Sequence, residues 1–225
     1  MLSSRTLTPA LAALVALGTA SASHAQNIPV QNFSFESPAV STFTTNVITG
    51  WSGGGGAGYG VQNLAAGPSL FPGGIPDGTQ YAYVNTGYIF QDLGLSLTAG
   101  NTYTLTAYVG KRTDNAGAAG SINLASFTSG LPVAFLAQSG SVTSPSGTFT
   151  KYTTSFTATG AQAGQDFGIV LNDTGTGQVD FDNVSLTQSS PVPEASTTVS
   201  FGLLLALGMG GLVVAAKRKK VQSAP

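Results

Sequence analysis

Residues 102–109 alternate strictly: Tyr103, Leu105, Ala107 and Val109 take the odd positions, and threonines fill most of the even ones. A strand sends successive side chains to opposite faces, so this period of two describes a half-buried β-strand. The same pattern recurs in short runs at Phe33 and Phe35, at Tyr152, Thr154 and Phe156, and at Phe167, Ile169 and Leu171. Residues 81–84, 89–93 and 122–124 read as further strands. Turn chemistry separates them: Pro76-Asp77-Gly78, Ala99-Gly100-Asn101, Asp114-Asn115-Ala116-Gly117 and Pro145-Ser146-Gly147. No stretch between residues 26 and 188 keeps an apolar period of 3.6 over helical length. Many short strands with Gly, Asn and Pro punctuation predict an all-β, antiparallel two-sheet sandwich.

The two ends do not belong to that pattern. Arg5, an apolar run over residues 10–22 and Ser23-His24-Ala25 have the order of a secretory signal peptide, with cleavage expected after Ala25. Residues 199–216 carry no charge and end in Lys217-Arg218-Lys219-Lys220. That length approaches a membrane span, and the basic cluster would hold its C-terminal side in the cytoplasm. The resulting division is a signal helix over 1–25, an ectodomain over 26–188 and a tail over 189–225.

Val192, Pro193, Glu194 and Ala195 stand just before the apolar stretch. With that stretch and the basic end, they resemble the PEP-CTERM sorting tail of exopolysaccharide-associated bacterial proteins, although Ala195 replaces the second proline of the motif. The resemblance implies processing by an exosortase-like transpeptidase after signal peptidase, and an inner-membrane stage with the N-terminus outside. The cell surface or extracellular matrix would be the destination.

Composition narrows the chemistry of the ectodomain. Three basic residues (Lys111, Arg112, Lys151) stand against eight acidic ones, a net charge of −5, so no phosphate-binding patch forms and nucleic acid is excluded as a partner. The single histidine, His24, leaves with the signal peptide, and there is no cysteine. An imidazole-dependent triad and an ordinary zinc site are both excluded. On this ground the chain is expected to be non-enzymatic.

Asn32-Phe33-Ser34-Phe35-Glu36 and Val179-Asp180-Phe181-Asp182-Asn183-Val184-Ser185-Leu186 resemble the first and last strands of galactose-binding-like jelly rolls, the fold of many carbohydrate-binding modules. Gly50-Trp51, Asp77-Gly78-Thr79-Gln80-Tyr81, Phe90-Gln91 and residues 99–105 fall between them in the order that family shows. The resemblance implies a jelly roll and a structural calcium held by Glu36 and Asp182, since calcium takes oxygen ligands and needs neither His nor Cys. Parity along an uninterrupted last strand places Asp180 and Asp182 on the face of Val184 and Leu186, where a carboxylate is costly unless paired, hydrogen-bonded or metal-bound.

Trp51, Tyr59, Tyr83 and Tyr88 are the candidate aromatics for stacking on a sugar. Asp180 and Asp182 as a glycosidase pair would both come from one strand, without a cleft between them. Asp173-Thr174-Gly175 spells an aspartic-protease triplet in a single copy and reads as a turn, and the glycine string over residues 53–60 reads as a flexible loop. The expectation is an exported surface protein associated with exopolysaccharide, binding glycan without catalysis. A secreted glycan-active enzyme and a ligand-free structural module are the alternatives.

Overall fold

The computed structural model describes residues 25–56 and 58–191. Residues 1–24 of the signal peptide, the sorting motif Val192, Pro193, Glu194 and Ala195, the apolar stretch 199–216 and the basic end 217–220 lie outside them. Among the described residues, no helix is long and apolar enough to cross a membrane.

Among the described residues, eleven strands form two antiparallel sheets: β1 Gln26–Ile28, β2 Ser52–Gly54, β3 Tyr59–Asn63, β4 Gln80–Val84, β5 Tyr88–Ser96, β6 Thr102–Lys111, β7 Gly120–Thr128, β8 Leu131–Gln138, β9 Thr148–Thr157, β10 Asp166–Asp173 and β11 Val179–Ser189. One sheet runs β3-β4-β11-β6-β9, with β1 also on β11; the other runs β2-β5-β10-β7-β8. This is the all-β sandwich that the alternation predicts. Between the sheets, Leu105, Ala107 and Val109 of β6 meet Ile122 and Leu124 of β7, Ile169 and Leu171 of β10, and Val179, Phe181, Val184 and Leu186 of β11. Removing each large aliphatic or aromatic chain from water contributes roughly 1.5–3 kcal/mol, which makes this layer the main source of stability.

Two local readings change. Phe33 and Phe35 do not form the first strand: Asn32–Phe35 is a turn, with Asn32 at φ +50° and Phe35 at φ +57°. The turn buries Phe35 against Trp51, ring centroids 5.3 Å apart, and leaves Phe33 exposed. The glycine string is not a free loop either. Gly53 and Gly54 belong to β2 in one sheet and Tyr59 starts β3 in the other, so the string carries the chain between sheets. Gly55 and Gly56 make the reversal at φ +68° and +75°, a region that L side chains enter at a cost.

The third change moves two carboxylates to the other face of a sheet. The β11–β6 register shifts between Asp182 and Ser185, with Asn183 at φ +48°. This bulge inserts one residue and reverses the parity of the strand. Val179 and Phe181 before it, and Val184 and Leu186 after it, all point into the core. Asp180 and Asp182 therefore do not share the face of Val184 and Leu186. They lie on the outer face of the first sheet, yet both are buried.

Candidate active site

Register places Asp180 between Tyr83 of β4 and Gly110 of β6, and Gly110 beside Phe149 of β9. The next row along the same face holds Asp182, Tyr108 and Lys151. Two residues before Tyr83, Tyr81 shares this face by strand alternation. At Gly110 a Cβ atom would meet the Phe149 ring at 2.5 Å, so glycine leaves the ring room to lie next to Asp180.

The segment linking β3 to β4 covers this row. It opens with two short 3₁₀ turns, Leu64–Ala66 and Pro68–Leu70, and is held down by backbone bonds from Leu64 N–H to the Thr79 carbonyl (2.9 Å) and from Thr113 N–H to the Leu70 carbonyl (3.1 Å). The Thr113 hydroxyl adds a bond to the Ser69 carbonyl at 2.9 Å. Under the cover, Phe71 is fully buried. Its ring sits edge-on to Tyr81 at 5.2 Å and 4.5 Å from Phe149, while Tyr81 and Phe149 are 6.0 Å apart. Three aromatic rings thus pack together on the face that carries Asp180. Next to Phe149, a hollow of about 250 Å³ lies between Tyr108 and the cover residues Gly73, Gly74, Ile75 and Pro76.

Asp180 has no exposed surface. Its Oδ1 accepts from Gln178 Nε2 at 2.6 Å, and its Oδ2 has no protein partner. Burial pushes the carboxyl up to about 8; the Gln178 hydrogen bond and the Arg112 charge pull the other way without prevailing. Burial thus favours the neutral carboxylic acid over the carboxylate. The Tyr81 hydroxyl is also buried and unpartnered, and burial followed by the nearby Asp180 charge holds its pKa above the usual phenol range. Tyr81 and Asp180 are two of only four buried side-chain groups with an unpartnered polar atom among the described residues. Buried polar groups are ordinarily satisfied, so two such orphans on adjacent strands of one face depart from the rule.

Arg112 forms a two-pronged ion pair with Asp114, Nε to Oδ1 at 3.0 Å and Nη2 to Oδ2 at 2.7 Å, and its Nη1 donates to Gln178 Oε1 at 3.2 Å. A chain of bonds therefore runs from the surface at Asp114 to the buried acid.

Asp182 and Glu36 clasp the far end of the cover. Asp182 Oδ2 accepts from Asp77 N–H (3.0 Å) and Oδ1 from Asn183 N–H (2.7 Å). Glu36 Oε1 accepts from Thr79 and Gln80 N–H, both at 2.8 Å, and Oε2 from the Thr79 hydroxyl at 3.0 Å. Burial pushes Asp182 up to about 8, opposed by its two backbone bonds and reinforced by the charges of Asp77 and Glu36. Among the described residues, no group of three His, Cys, Asp or Glu side chains gathers in metal-binding geometry.

The four candidate stacking aromatics do not converge. Trp51 packs between the sheets and donates Nε1 to the Gln31 carbonyl at 3.0 Å. Tyr59 is half-buried against the same core. Tyr83 is buried with its hydroxyl on the Thr44 carbonyl at 2.6 Å. Tyr88 lies on the opposite sheet, lining an apolar hollow of about 210 Å³ with Val133 and Phe135. Asp173-Thr174-Gly175 is the turn its composition predicts, Asp173 Oδ1 accepting from Gly175 N–H at 2.8 Å.

The family model described as HpiC1 cyclase, of the HpiC1-like family, matches residues 26–187, from β1 to within two residues of the end of β11. The chain belongs to the HpiC1-like family. An apo cyclase from Fischerella sp. is 26% identical, with 73% of this chain and 96% of that one covered at a TM-score of 0.63. The Stig cyclase Fisc from Fischerella sp. TAU, solved with (3Z)-3-(1-methyl-2-pyrrolidinylidene)-3H-indole, is 25% identical over 73% of this chain and 98% of that one, TM-score 0.63. The tandem CBM22-1–CBM22-2 domain of Paenibacillus barcinonensis Xyn10C shares the fold at 14% identity and a TM-score of 0.50, covering 77% of this chain and 49% of its own. No curated protein matches the chain.

These similarities correct the functional expectation. The jelly-roll likeness to carbohydrate-binding modules holds for the fold, but membership in a cyclase family replaces the non-catalytic glycan binder, and the expectation of no enzymatic activity is withdrawn. The error lay in equating catalysis with an imidazole or thiol. An acid kept neutral by burial needs neither. The match ends before the tail and lends nothing to the PEP-CTERM resemblance.

Proposed function

We propose that this chain is a cyclase that starts ring closure by protonating an unsaturated carbon of an apolar, indole-bearing substrate, with Asp180 as the general acid. The observation that carries the reading is the fully buried Asp180 carboxyl, whose Oδ2 faces no protein partner inside an aromatic enclosure. Proton transfer from Oδ2 forms a C–H bond from the π pair of an alkene and leaves a carbocation. A second π bond of the substrate attacks that cation and closes the ring. Loss of a proton to the Asp180 carboxylate then restores the acid, so product and substrate are isomers.

The faces of Phe71, Tyr81 and Phe149 supply negative quadrupole to the cation, an attraction worth about 2 kcal/mol or more when desolvated. They also exclude the water that would quench it. The Tyr81 hydroxyl, unpartnered beside the acid, is positioned to take a hydrogen bond to a polar atom of the substrate. The indole class follows from the ligand of the Fischerella relative, and the aromatic walls suit it.

The probe is 3-(4-methylpent-3-enyl)indole, which closes to a tetrahydrocarbazole by this route. Chromatography with mass spectrometry should show an isomer in water and a product one mass unit heavier in D₂O. Asp180→Asn should abolish turnover with the fold intact; undiminished cyclisation by that variant would overturn the assignment.

We propose further that a cation of the calcium type binds at Glu36 and Asp182. Both carboxylates bond to the same end of the cover, Asp182 at the Asp77 N–H and Glu36 at the Thr79 N–H, and oxygen ligands are what such a cation takes. It would tie the cover to β11 and take no part in proton transfer. Export through the N-terminal segment stays a proposal from its sequence, tested by the mass of the mature N-terminus.

A further inference from the structure

Resting on that reading of Asp180, we infer that Gln178 is the positioning residue of the acid: it selects Oδ2 as the atom that delivers the proton. Gln178 is the residue just before β11, two positions from Asp180, and its side-chain amide reaches the carboxyl directly. A guanidinium only donates, and so the amide oxygen of Gln178 must face Arg112. Its NH₂ group is then forced toward Asp180, where it donates to Oδ1 at 2.6 Å. A turned-over amide would set donor against donor at Arg112. Arg112 is itself oriented by two bonds to Asp114, and its side chain is only 19% exposed. Asn115 Nδ2 adds a bond to the Gln178 carbonyl at 2.9 Å, fixing the backbone from which the amide reaches.

An acid that accepts on Oδ1 carries its proton on the other oxygen. That oxygen is the one left without a partner in the enclosure. Once the proton has left Oδ2, the same N–H stays on Oδ1 of the carboxylate. The interaction therefore strengthens as transfer proceeds and serves the transition state more than substrate binding. A hydrogen bond to a charged group is the stronger kind, so its loss should lower kcat by about 10- to 100-fold.

Gln178→Glu separates positioning from simple support. A glutamate keeps an oxygen on Arg112, gaining an ion pair there, but offers Asp180 an acceptor in place of a donor. The proton is then drawn to Oδ1, away from the substrate. With full-length protein and the alkenylindole probe, kcat of Gln178→Glu should fall about as far as that of Gln178→Leu, with KM within about twofold of wild type. Wild-type kcat in Gln178→Glu would mean that the residue only braces the strand, and would overturn the inference. Asp180→Asn run alongside keeps the two claims apart. If it stays active, the acid assignment fails; if it is dead while Gln178→Glu is fully active, only the positioning role fails. Should Gln178→Glu not fold, Arg112→Met takes its place: a freed amide lowers kcat with KM kept, and an unchanged kcat overturns the role.

Discussion

Replacing Asp180 by asparagine keeps the shape and the oxygen that accepts from Gln178, and removes one titrating proton. Its consequence for stability follows from linkage. The folded carboxyl is held up to about 8 by burial, against an ordinary 3.8. Between these values the folded chain carries a proton at this position that the unfolded chain has released. Stability from this group is therefore complete at acid pH and drains away as pH rises toward 8. The rate of loss is fixed: about 1.4 kcal/mol per pH unit while one state is protonated and the other is not. Urea unfolding of wild type and Asp180→Asn at pH 5, 6 and 7 should show the variant gaining on wild type by about 2.7 kcal/mol across that span. Asp182 titrates in both proteins and cancels from the difference. Parallel pH dependences would mean that the folded carboxyl ionises like a solvated one, and the neutral-acid mechanism would lose its footing.

The same carboxyl sets the pH profile of turnover. With the acid form required, kcat/KM should fall about tenfold per unit above pH 8 and stay level below it; a fall centred near 4 would refute the role. Tyr81→Phe removes a buried hydroxyl without a protein partner, so the melting temperature should hold or rise while turnover drops. Gly110→Val drives a side chain into the space taken by Phe149, which should cost about 1–3 kcal/mol in urea unfolding and impair cyclisation by displacing that ring. If a calcium-type cation sits at Glu36 and Asp182, EDTA should lower the melting temperature of wild type and leave Asp182→Asn unmoved; an equal response in both would exclude the site.

The sandwich was legible because each long strand has one face on the core. In β6 and β10 the apolar residues recur at every second position, and no tertiary detail is needed to read them. Parity of β11 was not legible. One inserted residue at Asn183 turns Asp180 and Asp182 from the core side to the outer side, and the only local sign is an asparagine, a residue that tolerates the left-handed region. Phe33 and Phe35 misled for the related reason that two alternating aromatics suit a tight turn as well as a strand. The high cost of a buried carboxylate was readable at Asp180. What resolves that cost was not, because it depends on groups that only the fold assembles: Phe71 from the cover, Phe149 from an outer strand, and the Arg112–Gln178 chain from two separate turns.

That dependence also explains why a fold shared with carbohydrate-binding modules can serve a cyclase. An open sheet face would leave Asp180 solvated and ionised, unable to protonate carbon. Closing the face with the β3–β4 segment removes water from the carboxyl and raises its affinity for a proton. The same closure surrounds it with rings that tolerate a cation. Cover and acid thus act as one device: loosening the cover, as by breaking the Asp182 bond to the Asp77 N–H, should lower the Asp180 pKa and the turnover together. A variant that loosened the cover and lost turnover, yet kept the pH profile centred near 8, would separate the two and show that enclosure serves the substrate alone.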